Sequence, residues 1–185
     1  MYVYDYVIYI GRFQPFHKGH FYVVEKALKK AQKILIICGS ANINFTTKNP
    51  FTFEDRKLII EKNLKDKYPH RYTVLPLIDT PTDEEWEQEL YKIVENYIKS
   101  EAISNPKLAL IGHKKDDSCY YLDMFKNWDY IEVPNYKGIN ATDIREKISS
   151  HDDEDHEWMN DLTEETLKVL EKLKSHKEYN KFIKF

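Results

Sequence analysis

Tyr2 to Ile10 is apolar and rich in β-formers apart from Asp5, and after it apolar residues recur at Phe21, Val24, Ala27, Leu28 and Ala31. The first stretch reads as a buried strand. The second has the spacing of an amphipathic helix. The alternation continues along the chain. Ile34-Leu35-Ile36-Ile37-Cys38 is a continuous apolar run within residues 33–40, as in a parallel strand covered on both faces. A polar loop rich in Asn and Thr follows at 41–50. Thr52 and Asp55 then form a capping box for a helix with Leu58, Ile59, Ile60 and Leu64 at its apolar positions, stopped by Pro69. Residues 72–79 make a third strand, and Pro76, which lacks an N–H, marks it as an edge strand or a bulge. Thr82 and Glu85 form a second capping box, and Trp86, Leu90, Ile93, Val94 and Tyr97 follow helical spacing. A fourth strand at 107–111 closes at Gly112. A short aromatic segment at 120–125 leads to a fifth, short strand at 130–133. Asn140 caps a helix carrying Ile144 and Ile148, and Thr163 caps a last helix carrying Leu167, Leu170 and Leu173.

The order β-α-β-α-β-α-β-β-α-α predicts an α/β domain: a Rossmann-like, doubly wound, parallel five-stranded sheet with right-handed crossovers. Its core is expected over residues 1–150. Residues 151–185 read as an extension of the same domain, with an acidic solvated loop from His151 to Glu157, the last helix and a basic, aromatic tail.

Composition narrows the function classes. At 185 residues the chain is long enough for one real core, and 42% hydrophobic with 32% charged residues is ordinary for a soluble protein. A net charge of −3 provides no global field for nucleic acid. No apolar run approaches the ~20 residues that span a bilayer, and the N-terminus lacks a signal-peptide pattern. Cys38 and Cys119 form neither a metal motif nor a disulfide framework, and Cys38 reads as a small core residue. A cytoplasmic protein without membrane or nucleic-acid partners is expected. A homo-oligomer is left open. Aromatic content of 14% implies large buried area and stacking surfaces for planar ligands.

The candidate chemistry lies at the first strand-to-helix turn, Gly11-Arg12-Phe13-Gln14-Pro15-Phe16-His17-Lys18-Gly19-His20. Open α/β sheets place their ligands at such turns. His17 and His20 lie on one side of a helix start, where unpaired backbone N–H groups favour an anion. One histidine there would read as a cap or a gap filler. Two, behind a strand, a turn glycine and an arginine fork, describe a phosphate site. Gly19, costly inside a helix, makes room for a flat base or for close helix–sheet packing. Asn140-Ala141-Thr142-Asp143-Ile144-Arg145 opens a second helix with a hydroxyl and an arginine suited to phosphates. Trp86, shortly after Asp79, reads as a core residue or as a stacking platform. The dinucleotide fingerprint Gly-x-Gly-x-x-Gly is absent after the first strand.

These blocks resemble a known family. Gly11 to His20 resembles the paired-histidine motif of the nucleotidylyltransferase superfamily, and Asn140 to Arg145 its second motif. Gly-Arg-Phe-Gln-Pro-Phe-His is similar to the archaeal-type nicotinamide-nucleotide adenylyltransferases, as is the block Asn49 to Arg56. Gly112 to Tyr121 and Trp128-Asp129-Tyr130 resemble the bacterial branch, where this domain is fused to a Nudix hydrolase. The resemblance implies attack of a mononucleotide 5′-phosphate on the α-phosphorus of ATP, giving NAD or its acid form and pyrophosphate. It implies catalytic roles for His17, His20 and Arg145, and an ATP site at Gly11, Arg12, Phe13, Gln14, His17, His20, Gly112, Thr142 and Arg145. It further implies a site for nicotinamide mononucleotide or its acid form at Ser40, Asn42, Arg56, Asp79 and Trp86. Mg²⁺ would arrive with ATP, with no dedicated protein metal site. In the second motif Asn140-Ala141 stands where Ser or Gly is more usual, which leaves Thr142 as its one hydroxyl. No Nudix domain and no hydrolase activity are expected. Two other readings are another small-molecule adenylyl- or cytidylyltransferase, against which Asp79, Trp86 and the 49–56 block count, and a non-catalytic NAD- or ATP-sensing module, against which the intact His17, His20, Thr142 and Arg145 count.

Overall fold

The computed structural model describes residues 1–113, 124–150 and 156–185. Among them β1 (Tyr4–Gly11), β2 (Ala31–Cys38), β3 (Tyr72–Pro76), β4 (Leu108–Gly112) and β5 (Asp129–Glu132) form one sheet in the order β3-β2-β1-β4-β5. Every pairing is parallel, as the alternating pattern predicts. The chain leaves β1 towards one edge and later returns to its other side. This reversal opens a crevice beyond the carboxyl ends of β1 and β4.

Side chains alternate across the sheet. Val7, Tyr9, Ile34 and Ile36 pack with residues of α1 (Lys18–Lys30), α2 (Phe53–Leu64), α4 (Ala141–Ser149) and α5 (Glu164–Lys174), such as Val24, Ile60, Ile144 and Leu170. Tyr6, Ile8, Leu35 and Ile37 point to the other face, against Leu90 and Val94 of α3 (Asp83–Ser100). Covering both faces is why these strands carry unbroken apolar runs. Pro76 ends the edge strand β3, where no neighbour asks for its missing N–H.

Several local expectations shift. Thr52 and Asp55 do form a reciprocal capping box, but Thr82 alone caps α3, without a returning Glu85 side chain. Leu58 faces solvent at 43% exposure. α2 ends at Leu64, ahead of Pro69, and beyond it Lys67 and Tyr68 both bond Glu25 of α1. Ala31 ends α1 and opens β2 with no loop between them. Cys38 is fully buried, and burial pushes its thiol up to about 12. Glu157, expected at the end of the acidic loop, opens a 3-10 turn, Glu157–Asp161. The rest of that run from 151 to 155, Cys119 and most of the aromatic segment lie outside the described residues. No helix among the described residues is long and apolar enough to cross a membrane.

The C-terminal segment packs into the same core through Trp158, Leu162, Leu173 and Ile183. Tyr179 donates its hydroxyl to the Asp55 carboxylate, which also accepts from the Thr52 backbone at 2.9 Å, so the tail is tied to the start of α2. Tyr179→Phe is therefore expected to lower the unfolding free energy by about 1.5–3 kcal/mol, the typical range for a hydrogen bond to a charged group. Urea unfolding of the two proteins measures it, and equal midpoints would show that the hydroxyl contributes nothing.

Candidate active site

Beyond the carboxyl ends of β1 and β4 lies a polar cleft of about 380 Å³. Gly11, Arg12, Phe13, Gln14, His17, His20, Gly112, Thr142 and Arg145 all line it. Residues far apart in the chain thus meet at one place. A second groove of about 450 Å³ lies on the far side of Thr142 and Arg145, walled by Phe51, Ile148 and Phe182. The histidines belong to the first.

Local geometry fixes the two imidazoles. His17 is the N-cap of α1, and its Nδ1 accepts the backbone N–H of His20 at 3.4 Å. His20 Nδ1 accepts the backbone N–H of His17 at 3.2 Å. The pair is a capping box built from two histidines, with ring centroids 3.6 Å apart and planes 24° from parallel. An Nδ1 that accepts carries no proton, so in each neutral ring the N–H is on Nε2. Burial beside Tyr9, Phe13 and Phe16 pushes the His20 pKa well below the usual histidine value, and His17 and His113 add to the effect. The two rings are therefore donors through Nε2 without being a pair of imidazolium ions. A polyanion in the cleft would raise their basicity.

Two arginines complete the cationic wall. Burial lowers the pKa of Arg12, while Asp79 opposes the shift. Arg12 holds a buried nitrogen, Nη1, without a hydrogen-bond partner among the described residues. Arg145 donates to the Gln14 carbonyl at 3.0 Å and to Thr142 Oγ1 at 3.2 Å. Burial lowers its pKa as well, and the charge of Arg12 lowers it further. Two guanidiniums that repel each other across one cleft would both be stabilised by an anion between them.

Some side chains do something other than expected. Phe13 is 1% exposed, with φ at +52°, and its ring folds back over Gly11, where a Cβ would lie 2.9 Å from it. Gly11 is required for that packing, and Phe13 offers a ligand only its backbone. The Gln14 amide bridges both backbone groups of Phe51 at 2.9 Å, so it too is spent on structure. At Gly19 a Cβ would lie 2.9 Å from His17 Cε1. The missing side chain makes room for the neighbouring imidazole.

The residues expected to take the mononucleotide divide. Ser40 Oγ donates to Asp79 Oδ1 at 3.1 Å, and the Asp79 N–H donates to Asn42 Oδ1 at 2.9 Å, so these three form one lattice beyond β2 and β3. Arg56 lies beneath it, wholly buried, bonded to the carbonyls of Arg12, Gly39, Ser40 and Thr52. It supports this region without offering a ligand any surface. Trp86, half-buried on the first turn of α3, lies with its ring 6.4 Å from Phe125. Sequence reasoning missed His113 and Tyr136, which also line the cleft. The signal for His113 was its place: it follows a strand-ending glycine, as Arg12 does.

With this geometry in place, comparison with known proteins is informative. Residues 8–150 match the cytidylyltransferase-like family, and the chain belongs to it. The nicotinamide/nicotinic acid mononucleotide adenylyltransferase of Acinetobacter baylyi is 36% identical over 147 residues, 79% of this chain and 76% of that protein. The nicotinamide-nucleotide adenylyltransferase of Thermoplasma acidophilum is 30% identical over 89% of this chain and 84% of its own. Crystal structures of a bifunctional NMN adenylyltransferase/ADP ribose pyrophosphatase from Francisella tularensis match with TM-scores of 0.81 and 0.78, at 34% and 32% identity. The second of these is complexed with AMP and a manganese ion. They cover 97% and 96% of this chain, which spans about half of theirs, 52% and 51%.

Gly19→Ala tests the packing of the histidines. The added methyl forces the His17 ring to move while the helix gains a better helix former, so the protein is expected to fold. Turnover in the activity proposed below should fall by about tenfold or more, the scale of a small misplacement of catalytic groups. Unchanged turnover would mean that the ring position is not critical.

Proposed function

We propose that this chain is a nicotinamide-nucleotide adenylyltransferase, joining a pyridine mononucleotide to the adenylyl group of ATP with release of pyrophosphate. The observation that carries the reading is the position of Arg12. It interacts electrostatically with Asp79 on one side and with Arg145 on the other. The Ser40–Asn42–Asp79 lattice and the histidine cleft therefore meet at Arg12, where a mononucleotide phosphate and the α-phosphorus of ATP would come together. The names of the relatives support the same assignment.

In this reading an oxygen of the 5′-phosphate attacks the α-phosphorus. A new P–O bond forms, the bond from the α-phosphorus to the bridging oxygen of the β-phosphate breaks, and pyrophosphate leaves with its electron pair. The nucleophile is already an anion, so no general base is needed. The task left to the protein is to hold two anions together and to stabilise the charge that builds on the phosphoryl oxygens. His17 and His20 donate through Nε2, with Arg12, Arg145 and Thr142 along the triphosphate. Ser40, Asn42 and Asp79 take the pyridine end, and Trp86 supplies a stacking surface. Arg56 positions the lattice from below. A divalent cation accompanies the triphosphate, and we propose Mg²⁺. In this reading the cation is held largely by substrate phosphates. The cytoplasm, where both substrates are available, is the compartment we propose.

The direct test is pyrophosphate release from ATP with nicotinamide mononucleotide, its acid form, phosphopantetheine or flavin mononucleotide as acceptor. Release with the pyridine nucleotides alone is expected. Release only with another acceptor would keep the chemistry and overturn the pocket assignment, and no release from folded protein that binds NAD would indicate a sensing module. His20→Ala should lower turnover by about 10²-fold or more, the loss seen for a transition-state donor. Trp86→Ala should weaken mononucleotide binding by roughly 1–3 kcal/mol, the range for base–aromatic stacking. Unchanged mononucleotide affinity would return Trp86 to the core.

A further inference from the structure

His17 is held from both sides by the C-terminal segment, which lies beyond the residues matched by the family. On one side stands Thr166 of α5, fully buried. Its Oγ1 lies 3.1 Å from the Phe16 carbonyl, 3.1 Å from Asn63 Nδ2 and 2.8 Å from Thr163 Oγ1. A hydroxyl has one proton and two lone pairs. Asn63 Nδ2 can only donate and the Phe16 carbonyl can only accept, so Thr166 gives its proton to Phe16 and takes one from Asn63. The second lone pair then takes the proton of Thr163. Every capacity of the hydroxyl is used and its direction is set.

The Phe16 carbonyl needs this partner. The first carbonyl of the α1 pattern is that of His17, which accepts from Phe21 at 3.0 Å. The carbonyl one residue earlier lies outside the helix, on a residue with no exposed surface. On the other side of His17, Lys18 Nζ donates to the Asn160 carbonyl at 2.6 Å. Residues 16 and 18 are thus both tied to the segment 156–185, and the ring between them has little slack, being wedged against Gly19 and stacked on His20.

We propose that Thr166 is a positioning residue for adenylyl transfer: through the Phe16 carbonyl it fixes the N-cap His17, with the Lys18–Asn160 contact as a second tie. The proposal rests on the adenylyltransferase reading above for its kinetic consequence, but its structural content can be measured without turnover.

The test compares Thr166→Val, which keeps the shape and removes the hydroxyl, with Thr166→Ser, which restores it. Leu173→Ala is the control, a core truncation seven residues, about two turns, further along the same helix. With ATP and nicotinamide mononucleotide, Thr166→Val should lower kcat by about tenfold or more while both KM values stay within about twofold. Thr166→Ser should recover most of the loss. Leu173→Ala should lower Tm at least as far as Thr166→Val and retain kcat. Retained kcat in Thr166→Val, failure of a folded Thr166→Ser to recover, or a parallel loss in Leu173→Ala would each overturn the proposal. Should Thr166→Val not fold, Lys18→Met removes the second tie from an exposed position. A severalfold fall in its kcat supports the brace and an unchanged kcat overturns it. Should the wild-type protein transfer no adenylyl group, the NMR signals of the His17 and His20 rings decide. Shifts in Thr166→Val that are absent in Thr166→Ser would keep the brace while the functional reading falls, and unchanged signals would remove the brace as well.

Discussion

One buried guanidinium organises the floor of the cleft. Arg56 Nη1 donates to the carbonyls of Arg12 and Gly39 at 2.8 and 2.7 Å, Nη2 to that of Ser40 at 3.3 Å, and Nε to that of Thr52 at 3.2 Å. These carbonyls end β1, end β2 and begin α2. A planar fork with fixed donor directions can satisfy all of them at once, which a lysine ammonium cannot. Burying a charge is costly, and burial does lower the pKa of Arg56, although Cys38, Asp55 and Asp79 oppose the shift. The cost is met at the place where loop precision matters. Ser40, held at φ +49°, and Phe13, at +52°, are non-glycine residues in a left-handed conformation, and both flank carbonyls that Arg56 holds.

Upon that floor the cleft gathers positive charge in a chain whose net charge is −3. Arg12 and Arg145 repel each other, and His17, His20 and His113 share the same space. Burial keeps the His20 pKa low, which limits what it adds to the repulsion, and the Nδ1 lone pairs of His17 and His20 are engaged by backbone N–H groups. The site is thereby complementary to a polyphosphate, whose charge would relieve the repulsion between arginines and favour protonated imidazoles. A neutral molecule would do neither. The positions of the donors are set before a ligand arrives, which is the preorganisation that electrostatic catalysis requires.

The sheet, its parallel order and its site edge were legible in the sequence because both faces of the sheet are covered, and the strands therefore read as unbroken apolar runs. The histidine loop was legible because the spacing of His17 and His20 at a strand-to-helix turn carries a physical meaning of its own. Arg56 was placed near the mononucleotide, and its neighbour Ser40 does stand beside Asp79. Its burial was hidden, since the sequence does not show which arginines turn inward. Phe13 and Gln14 were read by position in the motif, while their side chains serve packing and a backbone bridge to Phe51. Gly19 was recognised as costly in a helix, but its reason was a contact with His17, two residues away, and periodicity does not report such contacts. Thr166 left no trace beyond a common helix-start pattern, because its partners lie in α2 and in the loop before α1.

The central claim is that the cleft aligns two phosphates for direct, in-line transfer, with the histidines acting as donors and not as nucleophiles. The stereochemical course at the α-phosphorus tests it most directly. With ATP made chiral at that phosphorus by isotopic or sulfur substitution, the account predicts inversion of configuration in the dinucleotide product. Retention would require two displacements through an adenylyl-enzyme. That would contradict the account and make one of the stacked histidines the attacking group.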